Sequence, residues 1–233
     1  MEAILLGDDG AAAGAAPGTL FVDCSTIGSA EARRIGAALD ERSLTLLDAP
    51  VTGSSPRAQD GTLTIMVGGP DEAFERVRPV LEAMGSLIVH AGPLGQGQLV
   101  KVINNAVAAT NAAVLGEAML MAQGAGADLD ALLRVMAAGS GGSAMLDLKA
   151  GPMRLHDYAT LFKLDHMLKD VRLCLDAARQ AGVPFDLALR SEEILAAAAS
   201  EGHGDDDFAS IIDPLERQAG IKLNEDESPA GGS

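Results

Sequence analysis

The 233-residue chain contains no tryptophan, one tyrosine and five phenylalanines. With so few aromatic side chains, a core must be built from Ala, Leu, Val, Ile and Met, which suits closely packed helices. Its two cysteines, Cys24 and Cys174, are too few for a disulfide framework and fit a reducing compartment. We therefore expect a cytoplasmic protein.

Basic side chains are also scarce, because 17 Lys and Arg stand against 33 Asp and Glu, for a net charge of −16. So acidic a chain lacks the basic surface that neutralises phosphates. The most apolar long stretch, residues 106–127, is interrupted by Asn111, Glu117 and Gln123, which favours a core helix over a membrane span. We expect neither a nucleic-acid partner nor a membrane partner.

Up to about residue 92, short β-type runs alternate with helical ones. The pattern predicts strands at residues 19–23, 44–48, 62–67 and 87–90. It predicts helices at residues 29–42, with Ser29 as the N-cap, and at residues 70–84. This alternation indicates parallel βαβ units, although the third strand is reached by a loop and is compatible with antiparallel pairing.

After Gly97 no strand pattern recurs, and helical periodicity takes over. Five helices are predicted, at residues 98–123, 128–138, 165–181, 186–200 and 207–219, each followed by a glycine. We therefore expect an α/β domain over residues 1–94 and an all-α domain over residues 95–221, which begins with a long spine helix. The polar segment 222–233 has no periodicity and is predicted to be disordered.

A glycine-rich turn, Gly92-Pro-Leu-Gly95-Gln-Gly97, lies between a predicted strand and the spine helix. It does not match the dinucleotide fingerprint G-x-G-x-x-G, because Val100 occupies the third glycine position counted from Gly95. The favoured interpretation is a turn whose glycines allow the helix to approach the sheet, with a phosphate site as the alternative.

Lys101 and Asn105 lie four residues apart on the spine helix and therefore on one face of an otherwise apolar segment. Burial lowers the pKa of a lysine toward values that are useful in proton transfer, and an asparagine beside it could orient a hydroxyl or a carboxylate. The alternative is that Lys101 lies in the first turn of the helix and reaches solvent.

The loop that contains Thr52, Gly53 and Ser54 follows the carboxyl end of a predicted strand, the edge at which open α/β sheets bind ligands. Its hydroxyls and backbone N–H groups are suited to a carboxylate, but such a composition is also typical of an ordinary loop. Lys169-Asp170 on a later helix is either part of a site or a solvated face.

The four histidines show no two-ligand spacing on one helix face. The acidic run at residues 205–207 is better interpreted as an N-cap cluster for the last helix than as a cation site. We therefore predict no bound metal.

Four motifs, in order along the chain, together resemble the β-hydroxyacid dehydrogenase family, which includes 3-hydroxyisobutyrate and tartronate semialdehyde dehydrogenases. They are Asp23-x-Ser25-Thr26, the run DAPVTGSSPRAQDGTLTIMVGG at residues 48–69, the glycine turn followed by Lys101 and Asn105, and Lys169-Asp170. The resemblance covers residues 1–219.

The family resemblance implies a Rossmann-type domain, a helical C-terminal domain, NAD or NADP as cofactor and a small 3-hydroxy acid as substrate. It implies that Lys101 is the catalytic acid/base and that Asn105 holds the substrate. The substrate carboxylate would be bound by the loop Thr52, Gly53 and Ser54. Cofactor contacts are implied for Thr26 and Lys169.

The sequence departs from the family because it contains no G-x-G-x-x-G motif. About 60 residues, or two βα units of roughly 30 residues each, appear upstream in the family and have no counterpart here. We expect a partial Rossmann-type domain of an oxidoreductase whose N-terminus is incomplete and whose activity as written is impaired by the missing motif. The alternative is a non-catalytic binding or oligomerisation module. Its apolar helices predict a homodimer or homotetramer.

Overall fold

The computed structural model describes residues 1–223, which divide into two compact units. Unit 1 consists of residues 1–104 together with 176–183, and unit 2 consists of residues 105–175 together with 184–223. The division falls inside the spine helix, ten residues beyond the predicted boundary between residues 94 and 95. The predicted domain limits stay a prediction.

Unit 1 is built on a five-stranded sheet, β1 Leu20–Asp23, β2 Thr45–Asp48, β3 Val51–Thr52, β4 Leu63–Gly68 and β5 Gly85–Gly92. Strands β1 and β2 are parallel, and so are β4 and β5. Strand β4 joins these pairs, because it is antiparallel to β2 at Asp48 and Gly68 and antiparallel to β3. The predicted strands and the loop-connected antiparallel pairing are thus confirmed.

Four helices accompany this sheet, α1 Glu2–Leu6, α2 Ser29–Asp40, α3 Ser54–Gln59 and α4 Asp71–Glu82. Consecutive residues of β2 belong to different clusters, because Leu46 packs with Ile35 and Leu39 of α2, whereas Leu47 packs with Phe74 of α4. Successive strand residues point to opposite faces, so α2 and α4 cover the two faces of the sheet.

One predicted helix cap is wrong. Residue Gly28 is the N-cap of α2 and makes no side-chain cap hydrogen bond, while Ser29 is already helical. The Ser29 hydroxyl is buried without a partner among the described residues. The sequence also gave no signal for α1, for α3, for β3 or for a short 3-10 helix at Ala11–Gly14.

Unit 2 is helical. The spine helix α5, Gln96–Gly124, begins in unit 1 and continues into unit 2, where α6 Leu129–Ala138, α7 Ala144–Leu155, α8 Leu164–Ala181, α9 Asp186–Ser200 and α10 Ile212–Ala219 follow. Helix α10 approaches α5 at Gly116, where an added Cβ would lie 3.0 Å from a methyl group of Leu215. The predicted helices are therefore present, with the last one preceded by a 3-10 turn at Phe208–Ile211.

Helix α7 was not predicted, because Gly151 and Pro152 interrupt the pattern. It forms because Ser143 caps its N-terminus by accepting a hydrogen bond from the Leu146 N–H, and because its buried face includes Met153. The expected cap at the acidic run is confirmed, since Asp207 accepts a hydrogen bond from the N–H of Ala209 at the start of the 3-10 turn.

Helix α5 has the length and composition of a membrane span, and half of its most apolar window is buried inside the protein, as in a core helix. At the C-terminal end, Leu223 is buried and donates its N–H to Glu216, so described structure extends into the segment predicted to be disordered. The rest of that segment, residues 224–233, lies outside the described residues.

Candidate functional site

Asp48, at the carboxyl end of β2, fixes the glycine-rich turn in unit 1. Its carboxylate is fully buried, and it accepts hydrogen bonds from the N–H of Gly95 at 2.6 Å and from that of Gln98 at 2.7 Å. Burial raises the pKa of the Asp48 carboxyl, and the two backbone donors oppose that rise. Asp48 therefore determines where α5 begins relative to the sheet.

The glycines of this turn are required by close packing. A Cβ at Gly97 would overlap the carbonyl oxygen of Met66 and lie 2.8 Å from Asp48 Oδ2, and one at Gly68 would also overlap the Asp48 carboxylate. The interpretation that glycine allows the spine helix to approach the sheet is confirmed.

Gln98 holds the loop that contains Thr26. Its Oε1 accepts a hydrogen bond from the Ile27 N–H at 3.1 Å, and its Nε2 donates to the Ser25 carbonyl at 2.8 Å. The same loop is tied to β1, because Ser25 donates both its N–H and its hydroxyl to Asp23 Oδ1. Sequence reasoning missed Gln98, whose signal was a polar side chain at the start of an apolar helix.

Lys101 lies one helical turn beyond Gly97 on α5, and its side chain is only 5% exposed. The alternative that this lysine reaches solvent from the first turn is therefore wrong. A lysine is rarely buried to this extent unless polar or charged groups surround its ammonium.

The loop Thr52, Gly53 and Ser54 joins β3 to α3 with an unusual backbone. Gly53 has φ 133° and Ser54 has φ 56°, and both side-chain hydroxyls of the loop are partly buried. A non-glycine residue with positive φ is uncommon and marks a constrained loop. The backbone of this loop is thus more constrained than expected for an ordinary loop of this composition.

In unit 2, Asn105 donates its amide Nδ2 to Asp170 Oδ2 at 2.7 Å, and both side chains are buried. Lys169 Nζ lies 3.2 Å from Asp170 Oδ1 and is half exposed. Because Asp170 is buried, the interpretation of Lys169-Asp170 as a solvated face is wrong for the aspartate. The hydrogen bond assigns the amide nitrogen of Asn105 as the donor to Asp170.

The structure thus places the predicted site residues in two sets. Thr26, Lys101 and the 52–54 loop belong to unit 1, and Asn105 and Lys169 belong to unit 2. Asn105 follows Lys101 by one turn of the same helix. The assignment of roles to these residues stays a prediction.

Sequence comparison relates most of the described chain to dehydrogenase families. Residues 1–92 match the NAD binding domain of 6-phosphogluconate dehydrogenase. Residues 95–215 match the family described as NAD-binding of NADP-dependent 3-hydroxyisobutyrate dehydrogenase.

Individual relatives agree with these matches. The chain is 38% identical to an NAD-dependent L-serine dehydrogenase of Pseudomonas aeruginosa, over 94% of this chain and 76% of the relative. It is 41% identical to a 3-hydroxyisobutyrate dehydrogenase of the same species, over 91% of this chain and 74% of the relative. A solved structure of Mycobacterium tuberculosis 3-hydroxyisobutyrate dehydrogenase with L-serine superposes with a TM-score of 0.82 at 34% identity, covering 88% of this chain and 72% of that one. The chain therefore belongs to the β-hydroxyacid dehydrogenase family of NAD(P)-dependent oxidoreductases.

Proposed function

We propose that this protein oxidises a small 3-hydroxy acid with NAD(P) and that Lys101 is the acid/base of the reaction. The observation that carries the proposal is the burial of Lys101 on α5 beside a glycine turn that Asp48 fixes. L-Serine and 3-hydroxyisobutyrate are the substrates to try first, because relatives more than a third identical are named for them. Under this proposal, residues 1–94 contribute cofactor contacts and residues 95–221 form the substrate and dimerisation domain.

Unit 1 contains an atom that fits a bound cofactor. Asp23 Oδ2, at the carboxyl end of β1, is buried and has no hydrogen-bond partner among the described residues. Buried acceptors are rarely left without donors, and the carboxyl ends of strands are where open α/β sheets bind dinucleotides. The contacts to NAD(P) from β1 and the loop that follows it would come from Asp23 and Thr26.

Oxidised NAD(P), when bound, would accept the hydride that leaves the substrate carbon. Lys101 Nζ, in its neutral form, accepts the proton of the substrate hydroxyl as that carbon is oxidised, and returns it to solvent afterwards. The half-buried hydroxyls of Thr52 and Ser54, with the Gly53 backbone between them, bind the substrate carboxylate. Asn105 helps to hold the substrate, and its hydrogen bond to the buried Asp170 fixes the position of its amide group. Lys169 contributes a charged contact to the cofactor.

Cofactor binding and turnover by the purified chain test this function. We expect saturable binding when NADH or NADPH is titrated, and formation of reduced cofactor when L-serine or 3-hydroxyisobutyrate is added with NAD+ or NADP+. Replacing Lys101 by Ala should lower turnover by about 10²–10⁴-fold but retain cofactor binding. The exposed Lys163→Ala is the matched control. Because the sequence contains no G-x-G-x-x-G motif, the same assays are repeated with two N-terminal βα units that carry this motif fused to the chain. Absence of turnover with every pairing in both forms would contradict the proposal.

A non-catalytic binding or oligomerisation module is the second candidate, since the sequence contains no G-x-G-x-x-G motif to hold the pyrophosphate at a helix N-terminus. It predicts that neither NADH nor NADPH binds. Tight, saturable binding of either cofactor would refute this candidate.

We further propose a cytoplasmic homodimer or homotetramer that assembles through α5. Within unit 2, the exposed side chains Val107, Val114 and Met121 recur every seven residues and form one apolar stripe. A second copy that covers this stripe would remove it from water. Sedimentation at micromolar concentration should show an oligomer and a shift toward monomer for Val114→Glu, whereas a monodisperse wild-type monomer would contradict the assembly.

A further inference from the structure

A second polar cluster lies in unit 2 and includes none of the residues assigned above. His156 ends α7 in the left-handed conformation, with φ 51°. Asp213 and Glu216 stand three residues apart on α10 and therefore on one helix face. His156 Nε2 lies 2.9 Å from Glu216 Oε1, and one ligand atom from each of the three residues lies within 4.8 Å of the other two.

We propose that His156, Asp213 and Glu216 bind one divalent cation of the zinc class. An imidazole nitrogen with two carboxylate oxygens is a ligand set that Zn²⁺ and similar transition metals accept. In a tetrahedral zinc site with bonds of about 2.1 Å, the ligand atoms lie roughly 3.4 Å apart. Small side-chain rotations reach that spacing from the observed arrangement, and solvent in the adjoining pocket supplies a fourth ligand.

Outer hydrogen bonds already orient both carboxylates. The Tyr158 hydroxyl donates to Asp213 Oδ1, and His203 Nε2 lies 3.0 Å from Asp213 Oδ2. The N–H of Leu223 donates to Glu216 Oε1 at 2.8 Å. Metal-ligating carboxylates are held in this way by partners that do not touch the metal.

The local charge also favours a cation. In and next to the cluster, four carboxylates outnumber two cationic side chains. The carboxylates are Glu201, Asp206, Asp213 and Glu216, and the cations are Arg217 and Lys222. Arg217 is paired with Glu201. A divalent ion would offset the excess of two negative charges.

Such an ion would be structural. It would connect the end of α7 to α10 and, through Glu216, to Leu223. Because none of its ligands takes part in the proposed dehydrogenase reaction, the cation site and the catalytic proposal stand or fall separately.

Titration of tag-free, EDTA-stripped protein with ZnCl2 tests the site by calorimetry, with melting temperature and the absorption spectrum of added Co²⁺ as parallel readouts. We expect one saturable Zn²⁺ per chain, a higher melting temperature and the intense visible bands of low-symmetry Co²⁺. His156→Asn keeps a side chain that tolerates positive φ but removes the ring nitrogen, and Glu216→Gln keeps the shape but removes the charge. Each should weaken Zn²⁺ binding at least about tenfold. His166→Asn, on the exposed face of α8, is the matched control and should bind like the wild type.

Two results would overturn the proposal: no saturable Zn²⁺ binding by the wild type, or binding that neither His156→Asn nor Glu216→Gln weakens. If either variant fails to fold, ring NMR of wild-type histidines decides. Zn²⁺ should then shift the His156 signals and leave those of His166 unchanged, and a shift at His166 alone would overturn the site.

Discussion

The ammonium of Lys149 lies 2.6 Å from Asp207 Oδ1, and both side chains are only 2% exposed. Burial lowers the pKa of Lys149, while its hydrogen bond to Asp207 opposes that change. Asp207 also accepts hydrogen bonds from the N–H groups of Leu161, Phe162 and Ala209. The pair thus joins α7 to the loop at residues 161–162 and to the start of the 3-10 turn at Phe208–Ile211. The Lys149 ammonium also packs against the Phe208 ring.

Lys149→Met should destabilise the protein by about 3–5 kcal/mol, because it leaves a buried carboxylate without its counter-charge. Urea unfolding followed by circular dichroism measures the effect. Lys163→Met is the matched control, since Lys163 is paired with Asp205 at the surface and its loss should hardly change the urea midpoint. A Lys149→Met protein as stable as the control would contradict the importance of this pair.

Asp48→Asn should lower the free energy of unfolding by about 1–3 kcal/mol at neutral pH. The carboxylate accepts hydrogen bonds from the Gly95 and Gln98 N–H groups with its two oxygens, whereas the asparagine amide has only one oxygen to accept them. Equilibrium unfolding in urea measures the loss. The exposed Asp40→Asn is the control and should unfold like the wild type.

Asp48 also predicts a pH dependence. Its pKa is raised by burial, so the folded state holds the proton more tightly than the unfolded chain. The part of its contribution that is linked to this proton is therefore full below the unfolded pKa of about 3.9 and is lost as pH rises through the raised folded pKa, while the hydrogen bonds from Gly95 and Gln98 remain at neutral pH. The stability difference between wild type and Asp48→Asn should shrink from pH 4 to pH 7. A difference that instead grows over this interval would show that the two backbone donors outweigh burial.

Gly97→Ala should destabilise unit 1 by about 1–3 kcal/mol, because the new methyl group would overlap the Met66 carbonyl and the Asp48 carboxylate. Gly14→Ala is the matched control, since a Cβ there meets no atom within 4 Å. Thermal unfolding compares the two substitutions. Equal melting temperatures for the two variants would contradict the close packing around Gly97.

Lys101→Ala should lower turnover of the 3-hydroxy acid by about 10²–10⁴-fold, the usual loss when a general acid/base is removed. Lys101→Arg should be nearly as slow, because arginine does not release its proton at working pH. Initial rates with saturating cofactor test both, with circular dichroism to verify folding. Rates close to wild type in both variants would remove Lys101 from the mechanism.

Much of the fold was predictable because the determining interactions are local. Apolar spacing along α2 and α9, the glycines that follow α6, α8 and α10, and the alternation of strands with helices reflect contacts within a few residues of the chain. Local patterns failed where a helix depends on distant partners, as in α7, whose Gly151-Pro152 interruption is outweighed by burial of Lys149 and Met153.

The sequence by itself determined the order of motifs, and hence the family and the identities of Lys101, Asn105 and the 52–54 loop. Only the tertiary structure decided that Lys101 is buried and that Asp48 holds the glycine turn. The physical reason is separation along the chain: Gln98 and its acceptor Asp48 are 50 residues apart, and Asn105 and Asp170 are 65 apart. Hydrogen bonds over such distances depend on how the segments pack, which periodicity and capping do not encode.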